Sequence, residues 1–205
     1  MENQPGAGNP GGESSSGRQA ENNDYLGGVR GDWTKFELEH VSLGLWASVG
    51  EFAPSPHYET MPWAAYKIEI AEDEARWATT APSGGIFTGS TVAVASNGSD
   101  VAMIVSGVAK LDFSVQKLDL EFADFYKFSF ANITSEGGAI SYNGPVAVIR
   151  TGENISGITF SSGETVGNLS GQLYGIDSGN PTEAAGRVSV SSGLSRLEGV
   201  WGVKR

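Results

Sequence analysis

The stretch Gly167–Val190, "GNLSGQLYGIDSGNPTEAAGRVSV", decides the fold. Two runs of alternating residues flank a polar loop, the pattern of two strands joined by a turn. Glycine weakens an ordinary strand interior, because it packs nothing and loses the most backbone freedom on folding. Yet Gly167, Gly171 and Gly175 recur at every fourth position, on one strand face with Leu169 and Leu173. Ser170, Gln172 and Tyr174 face the other way. A small closed barrel supplies a reason: its strands coil sharply, and glycine lets backbones approach closely at the bends. Gly186, Gly199 and Gly202 repeat the device in the strands that follow. The spacing is not G-x-G-x-x-G and no helical pattern follows, so the stretch is not a phosphate loop.

The surrounding chain agrees. "GIFTGSTVAVAS" (Gly85–Ser96) alternates and ends at the turn "NGSD" (Asn97–Asp100). "LDFSVQKLDLEF" reads as a hairpin with Leu111, Phe113 and Val115 on one arm and Leu118, Leu120 and Phe122 on the other, turning at Gln116–Lys117. From Gly85 onward about eight strands follow one another with no βαβ spacing, which means a sandwich or an antiparallel barrel. Before it, "WTKFELEHVSLGLWASV" and "AAYKIEI" (Ala64–Ile70) carry strand patterns, while Pro54, Pro56 and Pro62 mark a loop. "AEDEARWATT" (Ala71–Thr80) is the best helix candidate, acidic at its start but short.

Composition bounds the function. The 205 residues suit one domain with a smaller companion. A net charge of −11 argues against binding a nucleic-acid backbone or anionic lipid. The absence of cysteine excludes disulfides, thiolate metal sites and thiol catalysis. No apolar run approaches the roughly 18 residues of a transmembrane helix. Residues 1–27 are rich in Gly, Ser, Asn and Glu, lack the apolar run of an intact signal peptide, and read as a disordered tether. Such a segment is either what remains of a lipoprotein after loss of its anchor or an ordinary floppy terminus.

Taken in order, "GNLSGQLYG", "PTEAAGRVSV" and "LEGVWGVKR" resemble the transferrin-binding protein B-like β-barrel family. The matching positions are Gly167, Gly171, Leu173, Tyr174 and Gly175, then Glu183, Gly186 and Val188, then Trp201 and Gly202. "SGGIFTGSTVAV" (Ser83–Val94) is similar to the first barrel strand of that family, and "SLGLWASV" to the strand that precedes the barrel. The loop "YGIDSGNPTEAA" departs from the family pattern. The chain is also too short for the two-lobed receptor. The resemblance implies an all-β fold: a single antiparallel β-barrel of about eight strands over 81–205, behind a small handle-like N-terminal β-rich subdomain over 28–80. It implies a non-enzymatic bacterial protein, lipid-anchored at the outer membrane or secreted. Its partner would be a host or environmental protein, or haem, and an outer-membrane translocator or receptor could handle its export or its cargo.

The residues themselves offer little catalytic chemistry. His40 and His57 are the only histidines, and "GNLSG" is not the G-x-S-x-G of a nucleophile elbow. Asp112, Asp119, Glu121 and Asp124 gather along one hairpin and read as a solvated face rather than a paired-carboxylate site. For ligand binding the candidates are His57, Tyr58, Met61 and Trp63 in the proline-bounded loop, which suit a haem-capturing lip or an exposed aromatic loop. His40, alternating with Phe36 and Leu38, is a further candidate ligand or a half-buried strand histidine. Trp33, Trp46, Trp63 and Trp77 crowd the N-terminal part, as a small core or as a protein-binding surface. Three functions follow as expectations: capture of iron or haem, capture of a host protein in immune evasion or adhesion, and a structural envelope barrel. A barrel interior filled by side chains would favour the last.

Overall fold

The computed structural model describes residues 19–26, 29–51, 62–72, 76–98, 101–152, 157–176 and 179–205; for 19–33, 47–51, 62–67 and 101 it describes backbone alone. Among them the regular structure is antiparallel β, in two sheets. The first is a meander of β1 (Gln19–Leu26), β2 (Val29–Glu37), β3 (Val41–Glu51) and β4 (Pro62–Glu72), in that order. Of the tether expected over 1–27, residues 1–18 and 27 lie outside the described residues, and Gln19–Leu26 form β1, which pairs with β2. Over Ala71–Thr80, where a helix is expected, the described residues are not α-helical, and 73–75 lie outside the described residues. Ala71 and Glu72 finish β4, and Trp77 makes a β-bridge to Tyr174. Tertiary pairing overrides a weak, short helical pattern there.

The second sheet holds β5 (Ile86–Asn97), β6 (Val101–Asp112), β7 (Lys117–Phe122), β8 (Tyr126–Ala131), β9 (Thr134–Glu136), β10 (Ala139–Pro145), β11 (Ala147–Arg150), β12 (Val166–Gly175), β13 (Pro181–Ser192) and β14 (Ser195–Lys204). Its spatial order is β11-β8-β7-β6-β5-β14-β13-β12-β10-β9. Ten strands replace the eight expected, for a local reason. The run 139–150 breaks at Val146, whose N–H bonds out to Thr165 O at 2.9 Å. Its first half, β10, pairs with β12; its second half, β11, pairs with β8. One continuous run thus joins the two flanks of the curled sheet, which closes the barrel. The short β9 is an added arm on β10.

Alternation holds along every long strand. Leu169 and Leu173 of β12, Val188 and Val190 of β13, and Leu197 and Trp201 of β14 point into the barrel. They join Leu118, Leu120, Phe122, Phe128 and Phe130 in one filled core. Edge-to-face aromatic pairs such as Phe128–Phe160, 5.1 Å between centroids, pack within it. The hairpin turn falls at Phe113–Gln116, earlier than the pattern suggested, and Val115 is exposed rather than facing the core with Leu111. Gln116 takes φ 50° as the last residue of the turn, immediately before β7.

The glycines of the opening stretch now have a cause. Gly171 and Gly186 are cross-strand partners. A Cβ at Gly186 would sit 1.9 Å from Ser170 O, and one at Gly171 would sit 2.7 Å from Trp201 Cζ2. The indole of Trp201 lies against Gly171, where a side chain would otherwise be, and covers coiled backbone with one large apolar ring.

Candidate functional site

The outward face of β12–β14 is not bare. Phe36, Val41, Leu43 and Leu45 of the first sheet pack on Val92 and Val94 of β5, Ala185 of β13 and Val200 of β14. The first sheet is thus a handle laid against the barrel wall. Gly202 makes room for it: a Cβ there would meet Leu43 Cδ1 and Phe36 Cε2, both at 2.7 Å.

A carboxylate fixes one end of this joint. Glu183 is outward-facing on β13 yet only 2% exposed. Its Oε1 accepts the backbone N–H of Glu39 at 2.6 Å, and its Oε2 that of His40 at 2.9 Å. Both donors lie in the turn between β2 and β3. A buried carboxylate needs such donors, and these make the turn a socket for it. Tyr174 is the cross-strand neighbour of Glu183 and is fully buried. Burial first, then the negative charges of Glu72 and Glu183, push its phenol far up, so it stays neutral throughout the physiological range. Among the described residues His40 Nε2 completes no hydrogen bond.

Beside the joint runs a groove. Its first part, about 280 Å³, lies between Ile70, Glu72 and Trp77 on one bank and Ser170, Gln172 and Arg187 on the other. Its second part, about 340 Å³, continues past Ile68, Asn168, Ser189 and Glu198. Ser170 and Arg187 border both parts, so the two form one channel along β4. Trp77 closes one end: it is 41% exposed, and its Nε1 donates to Glu72 Oε2 at 3.0 Å, which fixes the indole plane. Glu198 stands at the other end, where burial pushes its carboxyl up against the opposing pull of Arg196. Arg187 is exposed in the middle. The floor is built of outward-facing hydroxyl and amide side chains from regular strands, a rigid polar surface suited to recognition.

The sequence candidates divide. His40 is in the tight turn between β2 and β3 rather than in a strand; its side chain is only 8% exposed and its backbone N–H is spent on Glu183. Trp46 is 1% exposed, packed away instead of forming a contact surface. Trp63 falls within β4, where only backbone is described, and His57, Tyr58 and Met61 lie outside the described residues. Asp119 is no free surface acid: it accepts from Ser129 Oγ and pairs with Lys117 at 2.9 Å and Lys127 at 3.5 Å. Among the described residues no group of three or more His, Asp or Glu side chains is placed to hold a metal ion. No described helix is long and apolar enough to cross a membrane. Sequence reasoning passed over Arg187 and the Glu183 socket. The signal for Arg187 was present, since it sits at an outward position of an alternating strand.

No family model and no curated protein matches this chain. Among solved structures it is similar to "The Structure of Intact Ap-TbpB (N and C lobes)", with a TM-score of 0.53 and 16% sequence identity. The alignment covers 95% of this chain and 39% of that one, so the chain spans about two fifths of the length of its structural neighbour. The likeness is one of fold.

Proposed function

We propose that this chain is a non-enzymatic bacterial binding protein, displayed at the cell surface or secreted, whose ligand is a host or environmental protein. The observation that carries the reading is the pairing of a filled barrel with a handle sheet, in the likeness of a transferrin-binding protein. Since the described barrel interior is filled by side chains, this reading puts recognition on the outside. A purely structural barrel would be filled as well; the groove beside the handle, with a fixed tryptophan and an exposed arginine, favours binding. A lipid anchor and an outer-membrane translocator belong to the same proposal, as does a role in iron acquisition.

The test is capture from serum by the immobilised chain, read by mass spectrometry. Saturable retention of one protein supports the reading, and an empty lane after exhaustive loading overturns it. Haem is the competing ligand, carried by His57, Tyr58, Met61 and Trp63. A Soret band on titration that weakens in His57→Ala would move the assignment to haem capture.

A further inference from the structure

We infer that the free edge of β4 receives an extended segment of the partner protein as a fifth strand of the handle sheet, with an acidic side chain of that segment set on Arg187. The inference rests on the protein-binding reading above and names the place and manner of contact.

The two edges of the handle sheet differ. β1 carries a register shift between Glu21 and Asp24, an irregularity that spoils an edge for further pairing. β4 runs in unbroken register with β3 over all eleven of its residues, from Val41↔Glu72 to Glu51↔Pro62. Among the described residues no strand pairs with its other side. A long, regular, open edge is a liability that proteins usually blunt, or else a template for strand addition.

The groove lies where an added strand would run. Ile68 and Ile70 of β4 border it on one side and the barrel wall on the other. A strand at the usual spacing of about 4.8 Å from β4 would direct alternate side chains onto that wall. The wall is hydroxyl- and amide-rich, with one cation, Arg187, which has no ion-pair partner among the described residues. Glu72 and Glu198 stand at the two ends. This charge order selects an acidic residue mid-segment and rejects one at either end. On a chain of net charge −11, a lone exposed arginine in a groove is a selective feature.

The test pans the full chain with a phage library of random peptides about 12 residues long, enough to span β4. Enriched peptides are then synthesised and titrated by fluorescence polarisation against the wild type, Arg187→Gln and Arg187→Glu. Arg187 is exposed, so both variants should fold, and circular dichroism checks this. The expected peptides alternate apolar and polar residues around a central Asp or Glu. Their affinity should fall by at least about tenfold in Arg187→Glu. Alternate amides of Trp63–Glu72 should gain protection from hydrogen exchange when peptide is bound, a signature that side-chain contact alone would not produce.

Failure to enrich any peptide overturns the inference. So does binding that ignores Arg187 and leaves β4 exchange unchanged. A solution dimer whose β4 amides are already protected would assign the edge to a second copy and overturn it too. If serum capture persists undiminished in Arg187→Glu with β4 unprotected, this inference falls while the protein-binding reading stands. If peptide binds as expected but serum yields nothing, the groove stands and the host-protein reading falls.

Discussion

Asp119 shows how one side chain can depart from its surface appearance. It alternates outward on β7, as the sequence pattern implies, yet it is held by its neighbours. Burial raises its carboxyl, but hydrogen bonds from Ser129 and Lys117 and the charges of Lys117 and Lys127 outweigh burial and leave it below the ordinary carboxylate range. A lowered folded-state value stabilises above the unfolded carboxylate range and is lost as pH falls through the folded value. Asp119→Asn should therefore cost about 0.5–1 kcal/mol at pH 7, the modest sum of partly exposed pairs. That cost should shrink as the pH drops below about 4. Urea denaturation of both proteins across pH checks this; a difference that stays constant down to pH 2 would rule the account out.

At the scale of elements the decisive contact is the handle on the barrel. Its apolar part is non-directional, spread over Phe36, Leu43, Leu45, Val92 and Val200. Its directional part is Glu183, which meets two backbone donors of one turn. Glu183→Ala would strand both N–H groups under the joint. The expected cost is about 2–3 kcal/mol, concentrated in the handle because the barrel strands keep their ladders. Amide exchange should accelerate over β2 and β3 and remain slow in β7 and β8. Equal acceleration in both sheets would mean that the joint is not a separable element.

For the whole molecule, closure and filling go together. The run 139–150 ties β12 to β8, and Trp201 fills the interior over Gly171. Trp201 is fully buried, and its indole N–H reaches Arg187 O at 3.3 Å. Trp201→Ala should cost about 3–5 kcal/mol, a large share of the stability of a domain this size. The barrel should lose its cooperative thermal transition or melt well below the wild type by calorimetry. A shift of only a degree or two would show that the interior repacks around the void.

What the sequence by itself determined is the local pattern. Period-two alternation placed the long barrel strands, set Leu169 and Leu173 on the face opposite Tyr174, and marked Gly171 and Gly186 as points of close approach. These are legible because a strand's faces follow from parity alone, whatever it packs against. Only the tertiary structure decided the rest. The break at Val146 and the added arm β9, which together make ten strands of eight, the strand over Gln19–Leu26, and the bridge of Trp77 to Tyr174 are fixed by pairing rather than by local pattern. The same holds for the groove: Arg187 and Trp77 are 110 positions apart and become neighbours only once the handle lies on the barrel wall. Alternation tells which way a side chain points, but only long-range packing tells what it meets.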